Sequence, residues 1–124
     1  MKIAATIARI LLGIMFTIFG LNGFLHFIPM PPPPKGLAGE FSHALFASGY
    51  LYPIMALQLV SGLIFLSGRY VPLALTLIGP VIVNILLFHI TMAPEGTVPG
   101  AVAAVLWAVV LYRHRTAFAG IFRK

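Results

Sequence analysis

The sequence contains no cysteine and no aspartate, and its only acidic residues are Glu40 and Glu95. Without cysteine the chain cannot form disulfides, thiolate metal sites, iron–sulfur clusters, covalently attached c-type haem or a thiol redox couple. Two acidic residues are also too few to build a path of buried carboxylates for proton pumping. A redox role would therefore need a bound cofactor or a partner protein.

Charged residues of both signs are scarce. They make up 8% of the 124 residues, whereas 60% are hydrophobic and the mean hydropathy is +1.05. Soluble domains carry roughly 25% charged residues, and a soluble fold of this size could not hide so much apolar surface. The composition predicts one integral membrane domain over residues 1–124. No nucleic-acid partner is expected, because the basic residues lie between and beyond long apolar segments.

Four apolar segments have the length of membrane spans, at 1.5 Å per helical residue and about 30 Å of hydrocarbon. They are predicted at about 3–28, 50–66, 71–92 and 98–112. The first has no cleavage site, so we expect a retained span rather than a signal peptide. Short connections favour an all-α membrane fold, an up-down bundle of four transmembrane helices.

The first connection, an outer loop at 29–49, begins with a proline-rich stretch that favours extended polyproline II. Further on, Leu37, Phe41 and Leu45 recur every four residues. This spacing predicts a short interfacial helix that lies on the membrane.

The basic residues predict the orientation. With the N-terminus inside, seven of the eight lie on the inner side: Lys2, Arg9, Arg69, Arg113, Arg115, Arg123 and Lys124. The charged residues on the outer side are Lys35, Glu40 and Glu95. The positive-inside rule therefore places both termini in the cytoplasm. The tail at 113–124 combines four of these charges (Arg113, Arg115, Arg123, Lys124) with apolar residues at helical spacing, which predicts an amphipathic helix on the anionic inner leaflet.

Several residues carry expectations about helix packing. Gly13, Gly20 and Gly23 share one side of the first helix, where small residues favour close helix contacts and could also serve a homo-oligomer. Arg9 lies on that side and would either find a carbonyl or acid partner or extend to the inner surface. We also expect a kink at Pro80. Thr97 is expected to cap the last helix. An inward face on the second span is predicted at Gln58, Ser61, Gly62 and Phe65.

Polar side chains inside apolar spans are costly unless they are paired or used. Five such residues form a candidate pocket: Asn22, His26, Gln58, Asn84 and His89. One interpretation is hydrogen bonding between helices. The other is a pocket for a lipophilic quinone, whose carbonyl oxygens need hydrogen-bond donors.

A second hypothesis is a metal site on the outer side, where zinc or non-haem iron would find nitrogen and oxygen ligands. Its candidate ligands are His26, Glu40, His43, His89 and Glu95. They lack the close spacing typical of metal sites. A haem b between His26 and His89 would need the two imidazoles to face each other at equal depth.

Several stretches together resemble the DoxX family of small bacterial four-helix membrane proteins. They are Arg9-Ile-Leu-Leu-Gly13 with Gly20, Phe27-Ile-Pro-Met-Pro-Pro-Pro-Pro, Gly49-Tyr-Leu-Tyr-Pro53, Leu66-Ser-Gly-Arg-Tyr-Val-Pro-Leu73 and Pro80-Val-Ile-Val-Asn-Ile-Leu-Leu-Phe-His89. The resemblance implies the same four-helix topology and a link to respiration or oxidative stress, since relatives serve in thiosulfate:quinone oxidoreductase and other membrane oxidoreductase complexes. Relatives often carry an acid where this chain has Gln58, so no catalytic residue is carried over.

The leading hypothesis is an accessory, quinone-contacting membrane subunit of a redox or oxidative-stress system. Its rival is a structural anchor or lipophilic-ligand-binding protein without catalytic activity. A minimal channel would require oligomerisation, because four thin helices enclose no useful water path.

Overall fold

The structure, a computed structural model, describes residues 2–28, 35–121 and 123. Within these residues the chain forms helices and turns but no β-strand. The five α-helices are α1 (Lys2–Leu25), α2 (Leu37–Ser48), α3 (Leu51–Ser67), α4 (Val71–Met92) and α5 (Thr97–Arg113). Short 3-10 helices lie at Pro94–Gly96 and Arg115–Phe118. Residues 29–34, where polyproline II was predicted, lie outside the described residues.

Three helical segments are long and apolar enough to cross a membrane: α1, α4, and α5 together with the 3-10 turn before it. α3 has 17 residues, a length of about 25 Å. It becomes a fourth candidate only when combined with α2, from which it is bent by 87°. The described residues therefore form helices joined by turns, with three or four candidate membrane-spanning helices among them.

The outward faces of the long helices are strongly apolar. Exposed side chains on these faces include Ile14 of α1, Leu63 of α3, Val83 of α4 and Val105 of α5. Water would disfavour so large an apolar surface, whereas lipid chains solvate it without penalty. The surface therefore matches the membrane environment that the composition predicts.

The predicted short helix at Leu37–Ala47 is confirmed as the helix α2. It turns into α3 at Gly49, whose φ of 79° lies in the left-handed region that glycine adopts without strain. The ring of Phe41 stacks on Phe88 of α4, with 5.4 Å between the centroids. This stack attaches α2 to the end of α4.

The α1–α3 interface is the closest helix contact. A β-carbon at position 20 would lie 2.6 Å from the backbone nitrogen of Leu59, and one at position 62 would lie 2.5 Å from that of Thr17. Only glycine allows the two backbones to approach so closely. All three predicted glycines of α1 face α3: Gly13, Gly20 and Gly23. This glycine face is used inside the chain, so it does not offer the free surface that a homo-oligomer would need.

Each long helix contacts two others, because α1 and α4 both contact α3 and α5. The buried core draws on all four helices, with Leu12, Phe65, Ile78 and Val110 almost completely enclosed. The predicted inward face of α3 is confirmed, since its four residues are all buried: Gln58, Ser61, Gly62 and Phe65.

Arg9 is half-buried and finds carbonyl partners. Its guanidinium donates to the carbonyl of Phe65, and that of Leu66 lies 3.5 Å away. These carbonyls belong to the last turn of α3, which carries partial negative charge. The carbonyl of Phe65 also accepts from the backbone N–H of Gly68 at 3.3 Å. Arg9 thus joins the end of α3 to α1. Of the two predicted alternatives, a carbonyl partner or extension to the inner surface, the structure has the carbonyl partner.

Trp107 of α5 bonds to α4 beside its internal proline. The indole Nε1 donates to the carbonyl of Leu75 at 3.0 Å. Pro80 has no N–H for the carbonyl of Thr76, the next residue along α4. The indole bond therefore joins α5 to α4 at the point where the helix ladder is weakened.

Two local predictions are wrong. Thr97 does not cap α5, because its hydroxyl donates back to the carbonyl of Pro94 at 2.8 Å and Gly96 occupies the cap position. In the tail, residues 115–121 form a 3-10 turn followed by further turns rather than a continuous amphipathic helix. Thr116 and Gly120 are poor helix formers, which favours this outcome. Arg113, Arg115 and Arg123 are exposed, whereas Phe122 and Lys124 lie outside the described residues.

Candidate functional site

A cavity of about 430 Å³ lies where α1 and α4 end and α3 and α5 begin, beside α2. This volume is within the range of small-molecule sites, about 300–1,000 Å³. Its lining consists of Met15, Phe16, Phe19, Asn22, Gly23, His26, Phe46, Leu51, Met55, Gln58, Ile85, His89, Gly96, Pro99, Gly100 and Ala103. Only four of these side chains are polar.

Four of the five predicted pocket residues line this cavity: Asn22, His26, Gln58 and His89. Asn84 does not. It lies on an exposed face of α4, where its Nδ2 donates to the carbonyl of Pro80 at 2.8 Å. Asn84 is five positions before His89, which places the two side chains about 140° apart around α4. The internal proline Pro80 does not bring them to the same face.

Gln58 is the buried polar group of the cavity. Its side chain is 5% exposed, and no side-chain hydrogen bond among the described residues involves its amide. A buried amide without a partner costs about 1–3 kcal/mol, so such groups usually bind water or a ligand. Gln58 therefore offers its amide to a partner in the cavity, whereas the hydroxyls of Thr17 and Ser61 are fully enclosed and have no partner among the described residues.

Asn22 and His26 form the end of α1. The side-chain Oδ1 atom of Asn22 accepts a hydrogen bond from the backbone N–H of Ile28 at 2.8 Å. The backbone carbonyl of Asn22 accepts one from the N–H of His26 at 2.9 Å. His26 has a φ of 52°, and this left-handed conformation ends the helix three residues before the predicted boundary. Its side chain is exposed at the cavity mouth.

His89 lies in the last turn of α4. Its Nδ1 atom is 3.3 Å from the carbonyl oxygen of Ala93. A carbonyl oxygen only accepts hydrogen bonds, so this contact favours the tautomer of His89 that carries its proton on Nδ1. A β-carbon at position 96 would lie 2.6 Å from both Cε1 and Nδ1, so Gly96 makes room for the ring.

The lining contributed by α5 was not predicted. Gly96, Gly100 and Ala103 all face the cavity. They follow one another at four and three residues, the spacing of one helix face. This run of small residues is visible in the sequence and could have identified the wall at which α5 leaves space.

The predicted metal ligands are not brought together. Among residues 2–28, 35–121 and 123, no group of three His, Asp or Glu side chains could hold a metal ion. His26 and His89 line the cavity, whereas Glu40 and His43 are exposed on α2 and Glu95 is exposed in the 3-10 turn. Three of the candidates therefore point to solvent rather than to a common centre.

The opposite end of the molecule is basic. Partial burial lowers the pKa of His114, and the nearby charges of Arg113 and Arg9 lower that pKa further. The guanidinium of Arg115 lies 4.3 Å above the ring of Tyr112 and donates to its carbonyl. Arginines thus supply the positive charge around His114, and the cavity lies at the other end of the molecule.

Comparison of the chain with protein-family models, curated proteins and solved structures finds no match.

Proposed function

We propose that this chain is a DoxX-like integral membrane protein whose cavity binds a lipophilic quinone. In this proposal it is an accessory subunit of a redox or oxidative-stress system in a bacterial inner membrane. The observation that carries the binding function is the amide of Gln58, which lines a mostly apolar cavity and makes no side-chain hydrogen bond among the described residues.

The cavity chemistry supports a ligand of this class. A quinone ring is flat and apolar and carries two carbonyl oxygens that accept hydrogen bonds. Gln58 and Asn22 supply amide donors, and the side chains of Phe16, Phe19 and Met55 supply apolar contacts for a ring. The redox assignment and the expectation of a protein partner rest on the resemblance to DoxX proteins.

The membrane topology belongs to the same proposal. We propose four spans in an up-down bundle, with both termini and the exposed arginines of the tail on the cytoplasmic side against anionic lipid. The cavity then lies in the outer half of the membrane. α2, at 87° to α3, lies along the outer surface.

The absence of cysteine makes this topology directly testable. Single cysteines in the variants Lys35→Cys and Gly120→Cys should react with a membrane-impermeant maleimide only from opposite sides. Intact cells or right-side-out vesicles should label position 35, whereas position 120 should label only after permeabilisation. Labelling of both positions in intact cells would contradict the bundle of four spans.

The ligand is tested by extraction and mass spectrometry of protein purified in mild detergent. We expect quinone at close to one molecule per chain in the wild type and a loss of at least about tenfold in Gln58→Leu, since the variant removes the buried donor. Asn84→Leu is the matched control. It makes a similar change on an exposed face outside the cavity and should retain the quinone.

The melting temperature separates binding from a purely structural role. If Gln58 only joined helices, Gln58→Leu would lower the melting temperature and leave the bound lipids unchanged. Because its amide has no partner among the described residues, leucine should leave the stability of ligand-free protein equal or higher. Phospholipid alone in the wild-type extract would overturn the quinone proposal and favour the structural anchor.

A further inference from the structure

The imidazole of His89 is held in one orientation by the backbone around it. Nδ1 lies 3.3 Å from the carbonyl oxygen of Ala93, a contact in which Nδ1 can only donate, and the carbonyl of His89 accepts from the N–H of Ala93 at 3.1 Å. Gly96 lies directly against the ring edge that contains Nδ1 and Cε1. A neutral imidazole with its proton on Nδ1 has a lone pair on Nε2. The polar atom that His89 can offer a ligand is therefore a hydrogen-bond acceptor.

The two amide side chains that line the cavity are of a different kind. Asn22 has used its Oδ1 atom on the backbone of Ile28, so its Nδ2 donors are what it can offer a ligand. The amide of Gln58 can both donate and accept. The cavity thus presents amide donors together with an imidazole acceptor that a ligand without an O–H or N–H group would leave unpaired.

We infer that the cavity selects the hydroxyl-bearing form of its ligand, the quinol rather than the quinone, with the ligand O–H donating to Nε2 of His89. This inference rests on the proposed function and adds to it the chemical form that is preferred. A quinol satisfies both sets of groups, because each hydroxyl donates its proton and accepts from an amide. A quinone or a quinol ether can only accept.

The test compares three ligands that share one skeleton: a decyl-substituted benzoquinol, the corresponding benzoquinone and the quinol dimethyl ether. Dissociation constants are measured by calorimetry on the purified protein under anaerobic conditions. We expect the quinol to bind at least about fivefold more tightly than the quinone and the ether, the contribution of one hydrogen bond. In His89→Phe, which keeps a ring of similar size, the three constants should converge on the value for the quinone.

Gly96→Ala provides a second variant that leaves the imidazole in place but displaces it. It should reduce the preference for the quinol while the affinity for the quinone changes little, as expected for a positioning residue. Equal binding of quinol and quinone by the wild type would overturn the inference and leave the quinone site standing. A preference that survives in His89→Phe would overturn the role of His89. Binding of none of the three ligands would overturn the inference together with the proposed function.

Discussion

Replacing Gly20 by valine is expected to lower the free energy of unfolding by at least about 2 kcal/mol, because the new side chain meets backbone rather than a movable side chain. The first added carbon would lie 2.6 Å from the nitrogen and 2.8 Å from the α-carbon of Leu59. α1 and α3 must then separate along their closest contact. At an open helix position, removal of glycine would instead be neutral or stabilising by up to about 1 kcal/mol.

Chemical or thermal denaturation of the detergent-solubilised protein measures this loss. Gly120→Val is the control, since no atom lies within 4 Å of a β-carbon at that position. Gly62→Val probes the same interface from the α3 side, where the obstacle is the backbone of Thr17. If the variants at positions 20 and 62 unfold like Gly120→Val, the α1–α3 contact described above is not the one that stabilises the protein.

Replacing Arg9 by glutamate is expected to cost about 2–4 kcal/mol of stability, the second large effect. The guanidinium serves the carbonyls of Phe65 and Leu66 at the end of α3. A carboxylate there would place negative charge against carbonyl oxygens that already carry partial negative charge. Arg9→Lys keeps the charge but loses the forked donor geometry, so an intermediate loss is expected.

The matched control for this prediction is Arg69→Glu. It makes the same charge reversal in the turn between α3 and α4, at an exposed side chain. A comparison of the two melting curves therefore separates the effect of losing the bond between Arg9 and α3 from the general effect of net charge. An equal loss in both variants would mean that Arg9 contributes only as one of several positive charges and that its bond to α3 has no separate role.

The helix boundaries were largely predictable because they depend on local signals. α4 runs from Val71 to Met92 as predicted, between the turn at Gly68 and the proline at position 94. The end of α1 was placed three residues too late, at 28 instead of Leu25. Its stop is the left-handed backbone of His26, and histidine adopts that conformation too rarely for the sequence alone to reveal it.

The candidate site was predictable in part. The spacing of four residues between Asn22 and His26 predicts one helix face, and both residues line the cavity although His26 lies just beyond the end of α1. Asn84 has the same amide group as Asn22 but bonds to a carbonyl of its own helix. The presence of a polar side chain in an apolar segment therefore did not indicate whether it faces the cavity. Gly96 has no polar side chain at all, and its role became visible only when the ring of His89 was found against it.

By itself the sequence determined the membrane-like composition, the helices and their lengths, and the supply of polar residues inside apolar segments, because these follow from composition, periodicity and local stop signals. The tertiary structure alone decided that Arg9 bonds to the end of α3, that the glycines of α1 serve an internal contact, and that His89 lines the same cavity as Gln58. The physical reason is that each of these outcomes depends on the rotation and separation of helices that are distant in the chain. Those quantities are set by side-chain packing between the helices, which no local pattern encodes.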